Sequence, residues 1–334
     1  MKPWKLLTAA AAALGLAATP ASAEVSDLKM MSQYGIGYMQ LTLMKADKLV
    51  EKHLAKAGLG STTVTWARMG AGSAANDALL AGGLHFAAGG TGPAFILWDR
   101  TRANVQVHGV AALSSMPNML ISRNPAVKTI RDLTEKDRIA MAGAGSSVQT
   151  IYLQMAAAKE FGIDNYKKLN PLMVNLPHPE GLRALLSGQG EVNAQFTSPP
   201  FWNTAVESPG IHIVLNSYDI VGGANTFLMV WSTKKFRDEN PKTYKAVVDA
   251  MSEATEAINA DKKRAAEIYV REGGGKESVD KIFKIMSDPQ IKYTMAPENV
   301  LPFAQFMHKI GTLKNGPESW KDLFFPDIHA LPGS

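Results

Sequence analysis

Residues 184–201 read ALLSGQGEVNAQFTSPPF and repeat, without a gap, residues 78–95, which read ALLAGGLHFAAGGTGPAF. Eight of the eighteen positions carry the same residue. The shared residues lie where backbone geometry is demanding: Ala-Leu-Leu closing a helix, a glycine shortly after it, an apolar strand, and Thr-x-Pro-x-Phe at a loop. A chain that repeats the same helix, strand and threonine loop is predicted to form two similar lobes.

The segments around both copies follow one order of strands, loops and helices. The predicted strands are 28–32, 62–68 and 84–88 around the first copy, and 138–142, 172–176 and 191–195 around the second. The predicted helices are 39–57, 74–81 and 94–100, then 148–161 and a helix that follows the 177–180 loop and ends at 186. Strands alternating with helices, without hairpin signals, favour a parallel α/β sheet. Ligands of such sheets lie beyond the carboxyl ends of the strands.

Two strand pairs, each interrupted by a kink, are predicted to carry the chain between the lobes. The kinks are residues 114–118 and 218–223. The predicted domains are residues 24–115 with 226–334 for the first lobe and 116–225 for the second, joined by a two-strand hinge. The tail is predicted to be helical from an Asn240 cap and Pro241 onward, with an apolar stripe, and to cover the first lobe.

The beginning of the chain has the pattern of a secretory signal. Lysines at positions 2 and 5 precede an apolar run of about 13 residues and a small-residue site at 21–23, which predicts cleavage after Ala23. A membrane anchor is the alternative, but the run is shorter than the roughly 20 residues that a spanning helix needs. We therefore expect an exported chain that begins near Glu24.

Composition narrows the functional classes. The chain has no cysteine, which excludes disulfides, thiol nucleophiles and thiolate metal sites, and an exported chain of this kind suits a bacterial periplasm. The net charge is +5, and about +3 without the two lysines of the signal, too mild to indicate nucleic-acid binding. The 311 residues after the signal exceed the usual size of one core.

No catalytic or cofactor motif is found in the sequence. There is no G-x-S-x-G elbow, and the glycines of the 35–37 loop do not complete a dinucleotide fingerprint, because position 40 is Gln. The seven histidines contain no H-E-x-x-H pair. We expect a protein that is not an enzyme and has no cofactor and no metal.

Hydroxyl and glycine residues at the predicted loop ends form the candidate ligand site. Such loops before helices offer free N–H groups and hydroxyls to an anionic or oxygen-bearing head group. The candidates are Gln33, Tyr34, Tyr38, Ser73, Thr91, Gly92, Ser146, Ser147, His178, Thr197 and Ser198. Helix capping is the alternative role for Ser146, Ser147 and His178. Phe196 and Trp202 could wall an apolar ligand body or pack in the core.

Five features of the chain carry a resemblance to a known family: the signal, the loop at 34–38, the run ALLAGGLHFAAGGTGP, Gly-Ser-Ser at 145–147 and the run ALLSGQGEVNA. With these features the chain resembles the periplasmic substrate-binding proteins of nitrate-, sulfonate- and taurine-type ABC importers. The resemblance covers the mature chain. It implies a type II periplasmic binding protein fold that closes on a small anion and delivers it to a membrane permease. The family usually has an acidic residue in the repeated strand, where this chain has His85 and Asn193.

Two alternatives stay open at this stage. One is a periplasmic binding protein that senses its ligand for a membrane signalling partner, which genomic neighbours would distinguish from a transporter. The other is a binder of pyrimidine precursors, because the same fold resembles the thiamine-pathway synthases. Those synthases carry a cysteine-rich motif, which this chain lacks. A monomer without nucleic-acid partners is expected in each case.

Overall fold

The structure is a computed structural model that describes residues 24–273 and 275–334. The predicted signal and its cleavage site lie outside the described residues. Helices and strands alternate over most of the chain. The strands are β1 (Asp27–Ser32), β2 (Thr63–Arg68), β3 (Ala87–Gly90), β4 (Val107–Ser115), β5 (Met119–Ser122), β6 (Ile139–Met141), β7 (Met173–Asn175), β8 (Ala194–Thr197), β9 (His212–Asn216), β10 (Thr226–Thr233) and β11 (Lys292–Tyr293).

The α-helices divide between the two copies of the repeat and the tail. They are α1 (Met39–Ala46), α2 (Leu49–Lys56), α3 (Gly72–Leu80), α4 (Thr91–Thr101), α5 (Val148–Phe161), α6 (His178–Ser187), α7 (Phe201–Val206), α8 (Ser217–Val221), α9 (Lys234–Glu239), α10 (Pro241–Ala260), α11 (Lys262–Arg271), α12 (Val279–Met286) and α13 (Val300–Lys309). None of the helices in the described ranges is long and apolar enough to cross a membrane.

The strands form sheets of matching order in the two halves of the molecule. One half contains the order β11-β4-β10-β3 together with the parallel pair β1-β2, and the other the order β7-β6-β8-β5-β9. The Lys29 carbonyl accepts a hydrogen bond of 2.9 Å from the N–H of His85, so β1 lies beside the segment that leads into β3. The predicted mixed α/β architecture with two similar lobes is confirmed.

The prediction of a parallel sheet is wrong in part. β1 and β2 are parallel, as are β6 and its neighbours β7 and β8. β10, however, runs antiparallel to β3 and β4, and β5 runs antiparallel to β8 and β9. β5 and β10 are the strands that enter each half after the chain crosses between the halves, and they insert in the opposite direction.

The chain passes between the two sheets twice. Residues 116–118 connect β4 of one sheet to β5 of the other, and residues 217–225 lead from β9 back to β10. We call these segments the two crossings. The domain boundaries predicted at 115/116 and 225/226 stay a prediction, although the crossings lie beside them.

The repeated strands begin later than predicted. The sequence favours strands at 84–88 and 191–195, whereas the ladders run over β3 and β8. In the second copy the reason is Asn193, whose Oδ1 accepts a hydrogen bond of 3.0 Å from the Arg138 N–H and whose Nδ2 donates one of 2.9 Å to Asp137. These bonds fix Asn193 in the loop, so the pairing of β8 with β5 and β6 begins at Ala194.

Two helix predictions need correction. The single helix predicted at 39–57 is two helices, α1 and α2, because Lys48 adopts a left-handed conformation with φ 51°. Asn240 does not cap α10 with its side chain. The Glu24 carboxylate accepts hydrogen bonds of 2.8 and 2.9 Å from the N–H groups of Lys242 and Thr243, so an acid supplies the negative charge that a helix start favours.

The helical tail packs mainly on the half that contains β1–β4. The buried side chains Val247, Met251 and Ile258 lie on one face of α10, as the apolar stripe predicts. Polar contacts fix the tail as well, including a 2.8 Å hydrogen bond from Trp98 Nε1 to the Asp322 carbonyl. The tail also reaches the second half through an ion pair of 2.6 Å between Lys281 and Glu207.

Candidate functional site

The beginnings of four helices meet around one small cavity between the two halves. Gly72 opens α3, Gly90 precedes α4, Val148 opens α5 and His178 opens α6, and all four residues line the cavity. The cavity has a volume of about 20 Å³. Because the first turn of a helix has N–H groups without intrahelical acceptors, this arrangement directs positive dipole ends at one point.

Gln33 and Tyr38 line the cavity from the half that contains β1. Gln33 Nε2 is buried and has no hydrogen-bond partner among the described residues, so it can donate to a ligand. Burial raises the pKa of the Tyr38 hydroxyl above its usual range, which keeps it a neutral O–H group at every physiological pH. Both side chains are therefore uncharged hydrogen-bonding groups.

Ser147 and Gln149 line the cavity from the other half, on the first turn of α5. The Ser147 hydroxyl accepts a hydrogen bond of 3.2 Å from the Thr150 N–H and is the N-cap of the helix. The capping role that the sequence left open for Ser147 is therefore present. Capping does not remove the residue from the cavity wall, because Ser147 is among the residues that line the cavity.

His178 is a buried, neutral imidazole in the cavity wall. Burial lowers its pKa from the usual 6.5 to about 4. Its Nδ1 lies 2.8 Å from the Thr197 hydroxyl, and its ring stacks on Phe201 at a centroid distance of 5.5 Å. These contacts hold the ring in one orientation, so His178 can present a fixed polar edge without a positive charge.

No charged side chain is among the residues that line this cavity in the described part of the chain. The polar groups on its wall are amides, hydroxyls and one neutral imidazole, mixed with apolar contacts from Pro93, Phe227 and Leu228. Any electrostatic preference of the site therefore comes from helix dipoles and oriented donors, which favour a negative or acceptor-rich group.

Close backbone contact between the halves borders the cavity. A Cβ atom on Gly92 would lie 2.7 Å from the Ser146 carbonyl oxygen, and one on Gly90 would lie 3.0 Å from Val148 side-chain atoms. Such distances leave no room for a larger residue while the halves keep this separation. Gly92 thus belongs to the contact between the halves, and its lack of a side chain is what permits the contact.

The other predicted site residues lie around the cavity at different depths. Ser73 and Ser146 line a larger outer groove of about 650 Å³, which shares Pro93 with the cavity wall. Tyr34 lies under the Arg68 guanidinium, whose carbon is 5.2 Å from the ring centroid. The remaining three, Thr91, Thr197 and Ser198, are buried. The Thr91 hydroxyl has no hydrogen-bond partner among the described residues.

Sequence reasoning missed Gln149, Phe227 and Leu228 as cavity residues. Gln149 had a signal, because it lies two positions after a capping serine and so within the first helical turn. The other two had none, since they read as ordinary core residues of a long apolar strand. Of the two aromatic candidates for walls, Phe196 is fully buried in the core, and Trp202 donates a hydrogen bond of 3.3 Å to the Pro117 carbonyl.

Residues 22–270 match the NMT1-like family, a span of most of the chain. The chain belongs to the NMT1-like family. A comparison with curated proteins finds no match. Solved structures show what fold this family member has, and the prediction that it resembles sulfonate- and nitrate-binding proteins is confirmed by them.

The first of these structures is the alkanesulfonate-binding protein SsuA from Xanthomonas axonopodis pv. citri bound to MOPS. It shares 17% sequence identity with a TM-score of 0.68, over 87% of this chain and 95% of that one. The periplasmic nitrate-binding protein NrtA from Synechocystis has 16% identity and a TM-score of 0.69, over 90% of this chain and 84% of its own.

A third similar structure comes from Candida albicans and is described as having the generic periplasmic binding protein fold. It has 14% identity and a TM-score of 0.66, over 88% of this chain and 92% of its own. At these identities the likeness establishes the fold. The member of the NMT1-like family described here therefore has the periplasmic binding protein fold.

Proposed function

We propose that this protein is the periplasmic solute-binding component of an ABC importer. In this proposal it captures a small anion between its lobes and delivers it to a membrane permease. The observation that supports it is the convergence of four helix starts on one small cavity whose wall carries polar but no charged side chains among the described residues. The fold that it shares with sulfonate- and nitrate-binding proteins supports the same class of cargo.

Helix dipoles can bind an anion here without a cationic side chain. Each helix start carries the equivalent of roughly half a positive charge, and the N–H groups of its first turn that have no capping partner can donate. The Tyr38 hydroxyl and the His178 imidazole add neutral donors, since burial keeps both uncharged. A site of this kind suits a single oxyanion group of the nitrate, sulfonate or carboxylate class.

The sizes of the two spaces suggest how a larger anion would be accommodated. The cavity of about 20 Å³ has room for a group of roughly the size of one water molecule. An oxyanion head group would therefore enter with the lobes farther apart. An organic tail can extend past Pro93 into the outer groove of about 650 Å³, where Ser73 and Ser146 lie.

The proposed mechanism is capture and closure without chemistry. Donors from both lobes contact the ligand, so the ligand favours the arrangement in which the lobes meet. The closed form would then present surfaces of both lobes to the permease. The proposal includes export by the signal, cleavage after Ala23, a periplasmic location and a monomeric state, with no cofactor.

A neutral pyrimidine-like ligand is the second candidate. The absence of charged side chains from the described cavity wall favours it, because an uncharged ring would need no compensating charge. Tyr38, Phe227 and the His178 ring offer flat or apolar contacts to such a ring. The helix starts favour an anion over it, and for this reason the anion stands first.

Isothermal titration calorimetry distinguishes the two candidates. The purified mature chain is titrated with nitrate, methanesulfonate, taurine and acetate, and with a neutral aminopyrimidine. We expect binding of at least one anion in the micromolar range, and a loss of about tenfold or more in His178→Ala. Lys56→Ala, at the exposed end of α2, is the matched control and should bind as the parent does. Binding of the aminopyrimidine alone would contradict the anion proposal.

A further inference from the structure

Helix α5 makes two buried hydrogen bonds to the crossings, and one of them starts at a residue of the cavity wall. The first starts at Gln149, which lines the cavity and is 2% exposed. Its Nε2 donates a hydrogen bond of 2.9 Å to Oδ1 of Asn118. Asn118 lies in the first crossing and is fully buried. A side chain on the ligand cavity is thus bonded directly to the segment that joins the lobes.

Asn118 in turn is bonded reciprocally to the second crossing. Its N–H donates to the Ser217 hydroxyl at 2.9 Å, and its carbonyl accepts from the Ser217 N–H at 2.9 Å. Ser217 opens the second crossing and is fully buried. Because each segment donates to the other, the two crossings are held together at this point and have to move together.

The second hydrogen bond begins one helical turn after Gln149. The Tyr152 hydroxyl accepts a hydrogen bond of 2.6 Å from Nδ2 of Asn225, the residue that directly precedes β10. Both side chains are buried. Residues three apart on a helix share a face, so Gln149 and Tyr152 present one face of α5 to the last residue of each crossing.

We infer that Gln149 and Tyr152 are positioning residues that couple occupancy of the cavity to the crossings, through Asn118 and Asn225. The inference rests on the proposed ligand-binding function. A ligand that bonds to the remaining polar capacity of Gln149 fixes its side chain, which orients Asn118 and the Ser217 bond. Tyr152 is bonded to Asn225 at the end of the second crossing, so α5 transmits the position of the ligand to both crossings at once.

Breaking any one of these buried hydrogen bonds costs free energy, and this cost couples α5 to the crossings. A buried donor or acceptor left without a partner costs about 1–3 kcal/mol. A change that tilts α5 relative to the crossings would strand the amide groups of Asn118 and Asn225 together. The lobes therefore favour arrangements in which the whole set of bonds is kept.

Affinity measurements on variants of α5 and of the first crossing test this inference. Nitrate and methanesulfonate are titrated into the mature chain and into Asn118→Ala, Tyr152→Phe, Gln149→Ala and the double variant Asn118→Ala/Gln149→Ala. We expect Asn118→Ala to weaken binding about tenfold and Tyr152→Phe about threefold. The double variant should bind within about twofold of Gln149→Ala, because residues that act through each other are not additive.

Amide hydrogen exchange, measured without ligand, tests the bonds between α5 and the crossings independently of ligand affinity. The N–H groups of Asn118 and Ser217 should exchange about tenfold faster in Gln149→Ala than in the parent. Ser232→Ala is the matched control: it removes a buried hydroxyl that donates to the His85 carbonyl at 2.7 Å, and Ser232 lines neither the cavity nor the outer groove. It should lower thermal stability while leaving affinity and the exchange of these two amides unchanged.

The outcomes separate this inference from the proposed function. If the parent binds a probe while Asn118→Ala and Tyr152→Phe bind equally well with unchanged exchange, the coupling is overturned. A strictly multiplicative double variant overturns it as well, since Gln149 would then act on the ligand alone. If the parent binds no probe but Gln149→Ala still accelerates exchange at the crossings, the proposed function fails and the structural coupling is supported.

Discussion

The two copies of the repeat place different chemistry at the same position of the fold. Helix α3 begins at Gly72 and helix α6 begins at His178, 106 residues later. Gly72 packs against Pro93, where a Cβ would make a tight contact of 3.1 Å, whereas His178 fills its position with an imidazole bonded to Thr197. One copy therefore contributes bare backbone and the other contributes a side chain.

The strand ends show the same difference. At the end of β3 the chain reads Gly90-Thr91-Gly92 and lies directly against α5 of the other half. At the end of β8 the chain reads Thr197-Ser198-Pro199, and the Thr197 hydroxyl contacts His178. The two copies of the repeat therefore have different roles: the first copy permits close approach of the halves, and the second supplies a fixed polar group.

The largest expected effect comes from giving the first copy a side chain at Gly92. In Gly92→Val the new Cβ would meet the Ser146 carbonyl oxygen at 2.7 Å, and backbone cannot move away as a flexible side chain can. We expect the halves to stay apart and anion affinity to fall at least a thousandfold, about 4 kcal/mol. Calorimetry measures the affinity, and X-ray scattering measures the radius of gyration.

The matched control for this substitution is Gly60→Ala. A Cβ at Gly60 would lie 3.7 Å from Ala55, an ordinary van der Waals contact, and it lies far from the cavity wall. Affinity and radius should match the parent. Retention of tight binding in Gly92→Val would show that the contact between Gly92 and Ser146 is not needed for the ligand-binding form.

The next effect is a pH dependence of stability that arises from His178, at the position where the first copy has Gly72. Burial lowers the pKa of His178 from the usual 6.5 to about 4, so the unfolded chain takes up a proton that the native state refuses. Stability from this group is complete above pH 6.5 and falls as the pH is lowered toward 4. At pH 4.5 the loss relative to pH 7 should be about 2.5 kcal/mol greater in the parent than in His178→Asn.

Urea unfolding at the two pH values measures this difference. His85→Asn is a suitable companion variant. Burial also lowers the pKa of His85, but this histidine lies in the first copy of the repeat and outside the cavity wall. Equal slopes of stability against pH in His178→Asn and the parent would mean that His178 takes up its proton at the same pH in the folded and the unfolded protein, and that burial does not lower its pKa.

The sequence predicted the two-lobed architecture well because the same order of helix, strand and loop occurs at two places in the chain. The copies at 78–95 and 184–201 show the order of helix, strand and loop, and their offset aligns Gly72 with His178. It predicted strand direction and strand starts less well. Neither the antiparallel insertion of β10 nor the bonds that hold Asn193 in a loop leaves a trace in local periodicity, since both depend on partners far along the chain.

The sequence predicted which loops form the site, but not which of their residues reach the cavity. Loop ends before helices indicated Gln33, Tyr38, Ser147 and His178, which the fold brings to one cavity. The same reasoning could not separate them from Ser73 and Ser146, which line the outer groove. Whether a hydroxyl faces the cavity or the groove depends on how closely the two halves approach, and that distance is set by Gly90 and Gly92 rather than by the hydroxyl's own loop.

The smallest effects compare the two equivalent threonines. Thr197→Val removes the hydroxyl that lies 2.8 Å from His178 Nδ1 and leaves a buried ring nitrogen without its partner, which should cost about 1–2 kcal/mol of unfolding free energy. Thr91→Val removes a buried hydroxyl that has no partner among the described residues, so stability should stay equal or rise by up to about 1 kcal/mol. Chemical denaturation measures both values, and the Ser variants, which keep each hydroxyl, serve as controls. A loss of anion affinity in Thr91→Val without a loss of stability would assign that hydroxyl to the ligand, and the first copy would then contribute a polar group after all.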